Sequence, residues 1–112
     1  MDEDEEIQAR GEAYDGTGFV VTRRRWLHTI DRHHVMEGLM NTVLLIAKSP
    51  DEAYVDSRGM IHLIGVSREG PSDFLVVIAR REAREMYLVT GYPIGQRRKR
   101  RGYRAFKRLR LS

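Results

Sequence analysis

The stretch HHVMEGLMNTVLLIAK, residues 33–48, followed at once by Ser49-Pro50-Asp51, decides how the rest of the chain is read. Val35, Leu39, Thr42/Val43 and Ile46 recur at three- and four-residue spacing, and Met36, Met40 and Ala47 widen the stripe. That periodicity predicts one amphipathic helix over 33–48. Asp31 is placed to cap its start. Pro50 ends it, because the residue before proline avoids helical geometry and proline has no N–H to continue the ladder.

Beyond Pro50 the texture changes to strands. Ala53–Asp56 is short and leads through the turn Ser57-Arg58-Gly59 into Met60–Ser67. A second turn, Glu69-Gly70-Pro71-Ser72, feeds the apolar run Phe74–Ala79, and the charged connection Arg80–Glu85 leads to Met86–Tyr92. Upstream, Phe19–Thr22 reads as a first strand or an arm against the sheet. Successive β segments joined by short turns argue an antiparallel meander rather than crossover units. The expected class is α+β, with one main helix followed by an antiparallel sheet of three to four strands, flanked by flexible charged tails.

At 112 residues the chain has room for one core. Its net charge of +4 conceals an asymmetry of −6 over residues 1–15, +1 over 16–96 and +9 over 97–112. The division expected is an acidic, disordered tail over 1–18, an α+β domain over 19–95 and a basic tail over 96–112. With no cysteine there is neither a disulfide framework nor a cysteine-based zinc site, which fits a reducing compartment. No apolar run approaches the ~20 residues that span a bilayer, and the acidic start is unlike a signal peptide. A cytoplasmic protein without membrane partners is expected.

Three of the four histidines, His28, His33 and His34, fall within seven residues, beside Arg23, Arg24, Arg25 and Arg32. Histidine exchanges protons near neutrality, and arginine pairs with phosphate through a forked guanidinium. Together they suggest proton transfer next to a phosphate. In the tail, Arg97, Arg98, Lys99, Arg100 and Arg101 precede Tyr103 and Phe106, so cations that neutralise phosphates alternate with rings that stack on bases. Arginine outnumbers lysine seven to two over 97–112, which favours nucleic acid as the partner. A metal site drawn from the histidines with Asp31 and Glu37 is disfavoured, and no cofactor is expected.

Trp26 with His28, the pair His33-His34 at the helix start, Ala47-x-x-Pro50-Asp51 at its end, and a meander closing on Leu88-Val-Thr-Gly-Tyr92 form an ordered set. That order, over residues 26–93, resembles the phage-borne members of the barnase–EndoU–colicin–RelE superfamily, small metal-independent ribonucleases often used as toxins. The resemblance implies a helix packed on a four-stranded sheet, with RNA on the sheet's open face. It implies cleavage to a 2′,3′-cyclic phosphate and a neutralising antitoxin or immunity protein. The helix-proximal catalytic histidine corresponds to His34 or His33, the first-motif histidine to His28, and the terminal Thr-x-Tyr to Thr90 and Tyr92. The usual His-Pro after the first motif is replaced here by His33-His34.

Metal-free cleavage needs a base for the 2′-hydroxyl, an acid for the leaving 5′-oxygen and donors for the phosphorane-like transition state. Base and acid are sought among His28, His33 and His34, with His62, read first as a cross-strand packing residue, as a further candidate. Thr90 and Tyr92 share a face if the last strand is regular. Arg58, Arg80 and the basic tail, Tyr103 included, are expected to hold substrate. The competing expectation is a non-catalytic nucleic-acid-binding module or an accessory interaction protein.

Overall fold

The computed structural model describes residues 6–68 and 72–111. The acidic run over 1–5 and the turn over 69–71 lie outside them. The chain runs β1 (Ile7–Glu12), β2 (Gly18–Thr22), α1 (Arg23–Arg32), a 3-10 helix (His34–Gly38), α2 (Met40–Lys48), β3 (Glu52–Val55), β4 (Ile61–Val66), β5 (Phe74–Glu82), β6 (Glu85–Ile94), α3 (Gln96–Gly102) and β7 (Lys107–Arg108). The seven strands form one mixed sheet in the order β1-β2-β6-β5-β4-β3-β7.

The antiparallel meander is present as β3-β4-β5-β6. The class is α+β, but one helix and three to four strands is corrected, among the described residues, to three α-helices and seven strands. The two charged ends supply part of the difference. Ile7–Glu12 pairs with β2 across a tight turn in which Gly16 takes φ +87°. β2 then runs parallel to β6, from Gly18 opposite Glu85 to Val20 opposite Tyr87. At the other end, Gln96–Gly102 folds into α3, and Lys107–Arg108 pairs with Tyr54 and Val55 as the far edge. Ordered backbone pairing therefore reaches into both segments that composition assigned to tails.

The single helix expected over 33–48 is broken, and another precedes it. Thr22 caps α1, its Oγ1 accepting from the Arg25 N–H at 3.3 Å. Trp26, Thr29 and Ile30 then turn inward at helical spacing while the arginines stay outside. Asp31 lies inside α1 and caps nothing. Gly38 ends the 3-10 turn, and Leu39 is the N-cap residue of α2, which starts at Met40.

α1, the 3-10 helix and α2 cover one face of the sheet. Phe19, Val21, Trp26, Met36, Val43, Leu63, Leu75, Val77, Met86 and Leu88 fill the space between, all but solvent-free. At ~25 cal/mol per Å² of apolar surface removed from water, this layer is the main source of stability. α2 lies so close to β4 that a Cβ at Gly65 would sit 2.7 Å from Ile46 Cγ1. The opposite face carries a second apolar cluster, Tyr54, Ile64, Val76, Ile94 and Tyr103, with Phe74, Ile78, Tyr92 and Phe106 packed against it. α3 covers part of that face. No helix among the described residues is long and apolar enough to cross a membrane.

Candidate functional site

The face opposite the helix layer is built by alternation. On β4, Ile61 and Leu63 point to the helices, so His62 and Ile64 point away. The register sets Tyr54, His62, Ile78 and Thr90 side by side across β3, β4, β5 and β6, with Ile64, Val76 and Tyr92 in the next row. In β6 a bulge decides the outcome: Ile78 pairs with Thr90 but Ala79 pairs with Leu88, leaving Val89 as an extra residue. Met86 and Leu88 thus face the helices, whereas Thr90 and Tyr92, still in even-numbered positions, face the other side. A regular strand would have buried both hydroxyls under α1.

The C-terminal segment is fastened onto this face at several points. Tyr103, at the end of α3, is only 7% exposed. It stacks on Tyr54 with ring centroids 4.9 Å apart and meets Phe106 edge-on at 5.0 Å. Lys99 pairs with Glu52 and lies 4.7 Å over the Phe74 ring. Burial works against the Glu52 charge, but hydrogen bonds from Lys99 and Tyr54 hold the carboxyl below the usual glutamate range. The Leu109 N–H donates to the Ala53 carbonyl at 2.8 Å.

Under this segment lies a chain of hydrogen bonds. His62 Nε2 is 2.9 Å from Asp56 Oδ2, and its Nδ1 is 2.9 Å from the Tyr103 hydroxyl. The other Asp56 oxygen accepts from the peptide N–H groups of Arg58 and Met60 at 2.8 and 3.0 Å. Asp56 is held below the ordinary carboxylate range, first by the His62 bond and then, against burial, by those two N–H groups. Burial, then the Tyr92 phenol beside it, pushes the Tyr103 hydroxyl far above the usual tyrosine range. Tyr103 stays a neutral phenol.

Between this chain and α3 opens a hollow of about 410 Å³ whose wall includes His33, His62, Tyr92, Arg98, Tyr103 and Phe106. His33, the residue between α1 and the 3-10 helix, reaches it with its ring 5.4 Å from that of Tyr92. Burial, then the neighbouring charge of Arg32, holds the His33 imidazole below its ordinary value, so it is neutral at pH 7. A second, smaller hollow of about 190 Å³ lies across Tyr103, bounded by Glu52, Tyr54, Lys99, Arg100 and Arg104.

The expected site residues divide accordingly. His33 and Tyr92 come together in the larger hollow, with Arg98 and Tyr103. His28 and His34 stay exposed on α1 and the 3-10 helix and line neither hollow. Thr90 shares the Tyr92 face without reaching either hollow. Arg58 sits exposed in the β3–β4 turn, and the Arg80 guanidinium is engaged by Glu82 at 3.0 Å. Arg97, Arg100 and Arg101 stand outward on α3, whereas Lys99 turns inward to Glu52. Tyr103, expected to stack on bases from a tail, is a buried anchor. His62 enters the site instead of serving only as a packing residue. The signal for it was Asp56, six residues earlier across a Gly59 turn, which brings a carboxylate back over the strand.

Among the described residues no group of three or more histidine, aspartate or glutamate side chains is placed to hold a metal ion. Comparison with known proteins finds no matching family model, no matching curated protein and no matching solved structure.

Proposed function

We propose that this protein binds single-stranded RNA along α3 and cleaves its backbone in the larger hollow by side-chain acid–base chemistry. The single observation that carries the reading is the meeting of His33, Tyr92 and Arg98 around one hollow rimmed by a basic helix. His33, neutral at pH 7, takes the proton of a 2′-hydroxyl. The 2′-oxygen attacks phosphorus, the bond from phosphorus to the 5′-oxygen breaks, and that oxygen takes the Tyr92 hydroxyl proton, which solvent replaces. Arg98 offsets the charge that gathers on the phosphorane. The products are a 2′,3′-cyclic phosphate and a 5′-hydroxyl.

Toxin-like use, with a neutralising protein partner in the cytoplasm, belongs to this same reading. It rests on the order of sequence motifs, and an inhibitor of this site would have to cover the hollow and α3.

The test is incubation of the full chain with end-labelled RNA in chelator. His33→Ala is expected to lower kcat by about 10²–10⁴-fold, the range for loss of a general base. Arg98→Ala should lower kcat/KM, and His28→Ala should leave both unchanged. Binding of RNA with no cleavage in any sample, or equal cleavage by His33→Ala, overturns the nuclease reading and leaves a binding module.

A further inference from the structure

The scheme above uses one side of α3 and leaves the other, which faces the second hollow, without a role. An α-helix turns once in about 3.6 residues, so side chains two positions apart stand on opposing sides and those four apart share one. Arg98 and Gly102 line the larger hollow. Arg100 and Arg104 line the smaller, of about 190 Å³, together with Lys99 and Tyr103, which are turned to the sheet. Arg97 and Arg101 stand on the outward crest between the two, both exposed.

The smaller hollow is cationic. Glu52, the carboxylate in its wall, has both oxygens engaged: one accepts the Tyr54 O–H at 2.6 Å and the other pairs with Lys99. Arg100 and Arg104 are exposed, and among the described residues no ion pair engages either guanidinium. Two forked donors beside a carboxylate that is already satisfied fit a phosphate, whose oxygens take paired N–H groups. They do not fit a base. Tyr54 is stacked by Tyr103 at 4.9 Å and overlain by the Arg108 guanidinium at 5.9 Å, and both rings are more than nine-tenths buried. Neither ring offers a face on which a base could stack.

We infer that the smaller hollow is a phosphate subsite, in which Arg100 and Arg104 hold a phosphodiester of the RNA strand after it has passed over α3 from the larger hollow. This rests on the reading of the larger hollow as the place of cleavage. A helix with its side chains is about 10–12 Å across, farther than one backbone linkage reaches. The phosphate held by Arg100 and Arg104 is therefore at least two linkages from the scissile one, with Arg97 and Arg101 under the strand between them. The subsite selects strands long enough to cross, and its grip is felt in binding rather than in the bond-breaking step.

The first measurement is free of RNA. Arginine Nε–H signals of the full ¹⁵N-labelled chain are followed by NMR while inorganic phosphate replaces chloride at constant ionic strength. Arg100 and Arg104 should shift together and saturate, and in Arg104→Gln the Arg100 signal should no longer saturate. A uniform, unsaturated drift shared with Arg97 and Arg101, or an Arg100 signal indifferent to Arg104→Gln, overturns the subsite. The second measures binding of 2′-O-methyl RNA, which has no 2′-hydroxyl to attack and stays whole. The double variant Arg100→Gln, Arg104→Gln should lower the salt slope for a hexanucleotide by about 0.7, the value for one phosphate of a single strand. The gain in affinity from dinucleotide to hexanucleotide should shrink in that variant. An equal gain in native and variant chains overturns the crossing. A native chain that cleaves unmodified RNA but shows neither effect keeps the nuclease reading and loses the subsite. Saturable phosphate binding and the length effect without cleavage do the reverse.

Discussion

His33 and His34 are adjacent in sequence and reach different surroundings. The chain leaves α1 at His33, whose backbone sits at φ −141° and ψ 85°, and that extended residue throws its ring toward Tyr92. His34, the first residue of the 3-10 turn, stays in water. Periodicity could not separate them, because a 33–48 helix assigns both rings to its first turn. The imidazole that binds the site together, His62, was read first as a strand packing residue and only last as a candidate acid or base, since its partners come from 6 and 41 positions away. At this scale the prediction concerns pH. The His33 value in the fold lies below the ordinary 6.5, so the base form persists to lower pH and the acid limb of cleavage should lie below 6.5. The same shift bears on stability. Below 6.5 the unfolded chain binds the proton more readily, so the His33 contribution is present above that value and is lost as pH falls through its folded value. His33→Gln should flatten that part of a stability profile measured by urea unfolding.

The meander was readable element by element, because β3 to β6 are short apolar runs punctuated by glycine and charged turns. Their faces were not. The extra residue Val89 leaves no mark in the alternation, yet it moves Thr90 and Tyr92 to the other side of the sheet. Deleting Val89 should drive Tyr92 under the helix layer and close the hollow, measured as loss of RNA cleavage together with a lower Tm. The β5–β6 hairpin has the two-residue loop Ala83-Arg84, and Ala83 sits at φ 56°, a region that costs an L-residue ~1 kcal/mol. Ala83→Gly should therefore raise stability by about 0.5–1 kcal/mol in urea unfolding. Gly65→Ala should do the opposite. Its methyl would press on Ile46, and overpacking of this kind costs about 1–3 kcal/mol.

Over the whole molecule, charge composition foretold a basic end but not that it is folded. Arg97, Arg98, Arg100 and Arg101 are displayed by a short helix, with Arg104 just beyond it, and the inward Lys99 and the C-cap Tyr103 are already committed to the sheet. Polar residues with long-range partners escape a composition argument, because a tail and an anchored helix have the same charge count. Each outward arginine that meets a phosphate should add about 0.7 to the salt slope of single-stranded RNA binding. The double variant Arg97→Gln, Arg101→Gln should reduce the slope of log K against log salt by up to about 1.4. The anchors themselves depend on two carboxylates, Glu52 and Asp56, both held below their ordinary values. Their stabilisation is present above those values and disappears as pH falls through the lowered ones. Acid should therefore loosen residues 96–111 before the rest of the sheet. Faster hydrogen exchange at Leu109 than at the β5–β6 amides near pH 3 is the expected sign.

The chain has a single tryptophan, Trp26, sealed in the helix layer at 5% exposure, while Tyr54, Tyr92 and Tyr103 crowd the opposite layer. Trp26 thus reports on one side of the sheet, and three of the five tyrosines report on the other. Departure of the C-terminal clasp should change the near-ultraviolet circular dichroism of the tyrosines and leave the indole emission maximum in place. Only collapse of the entire architecture should shift both.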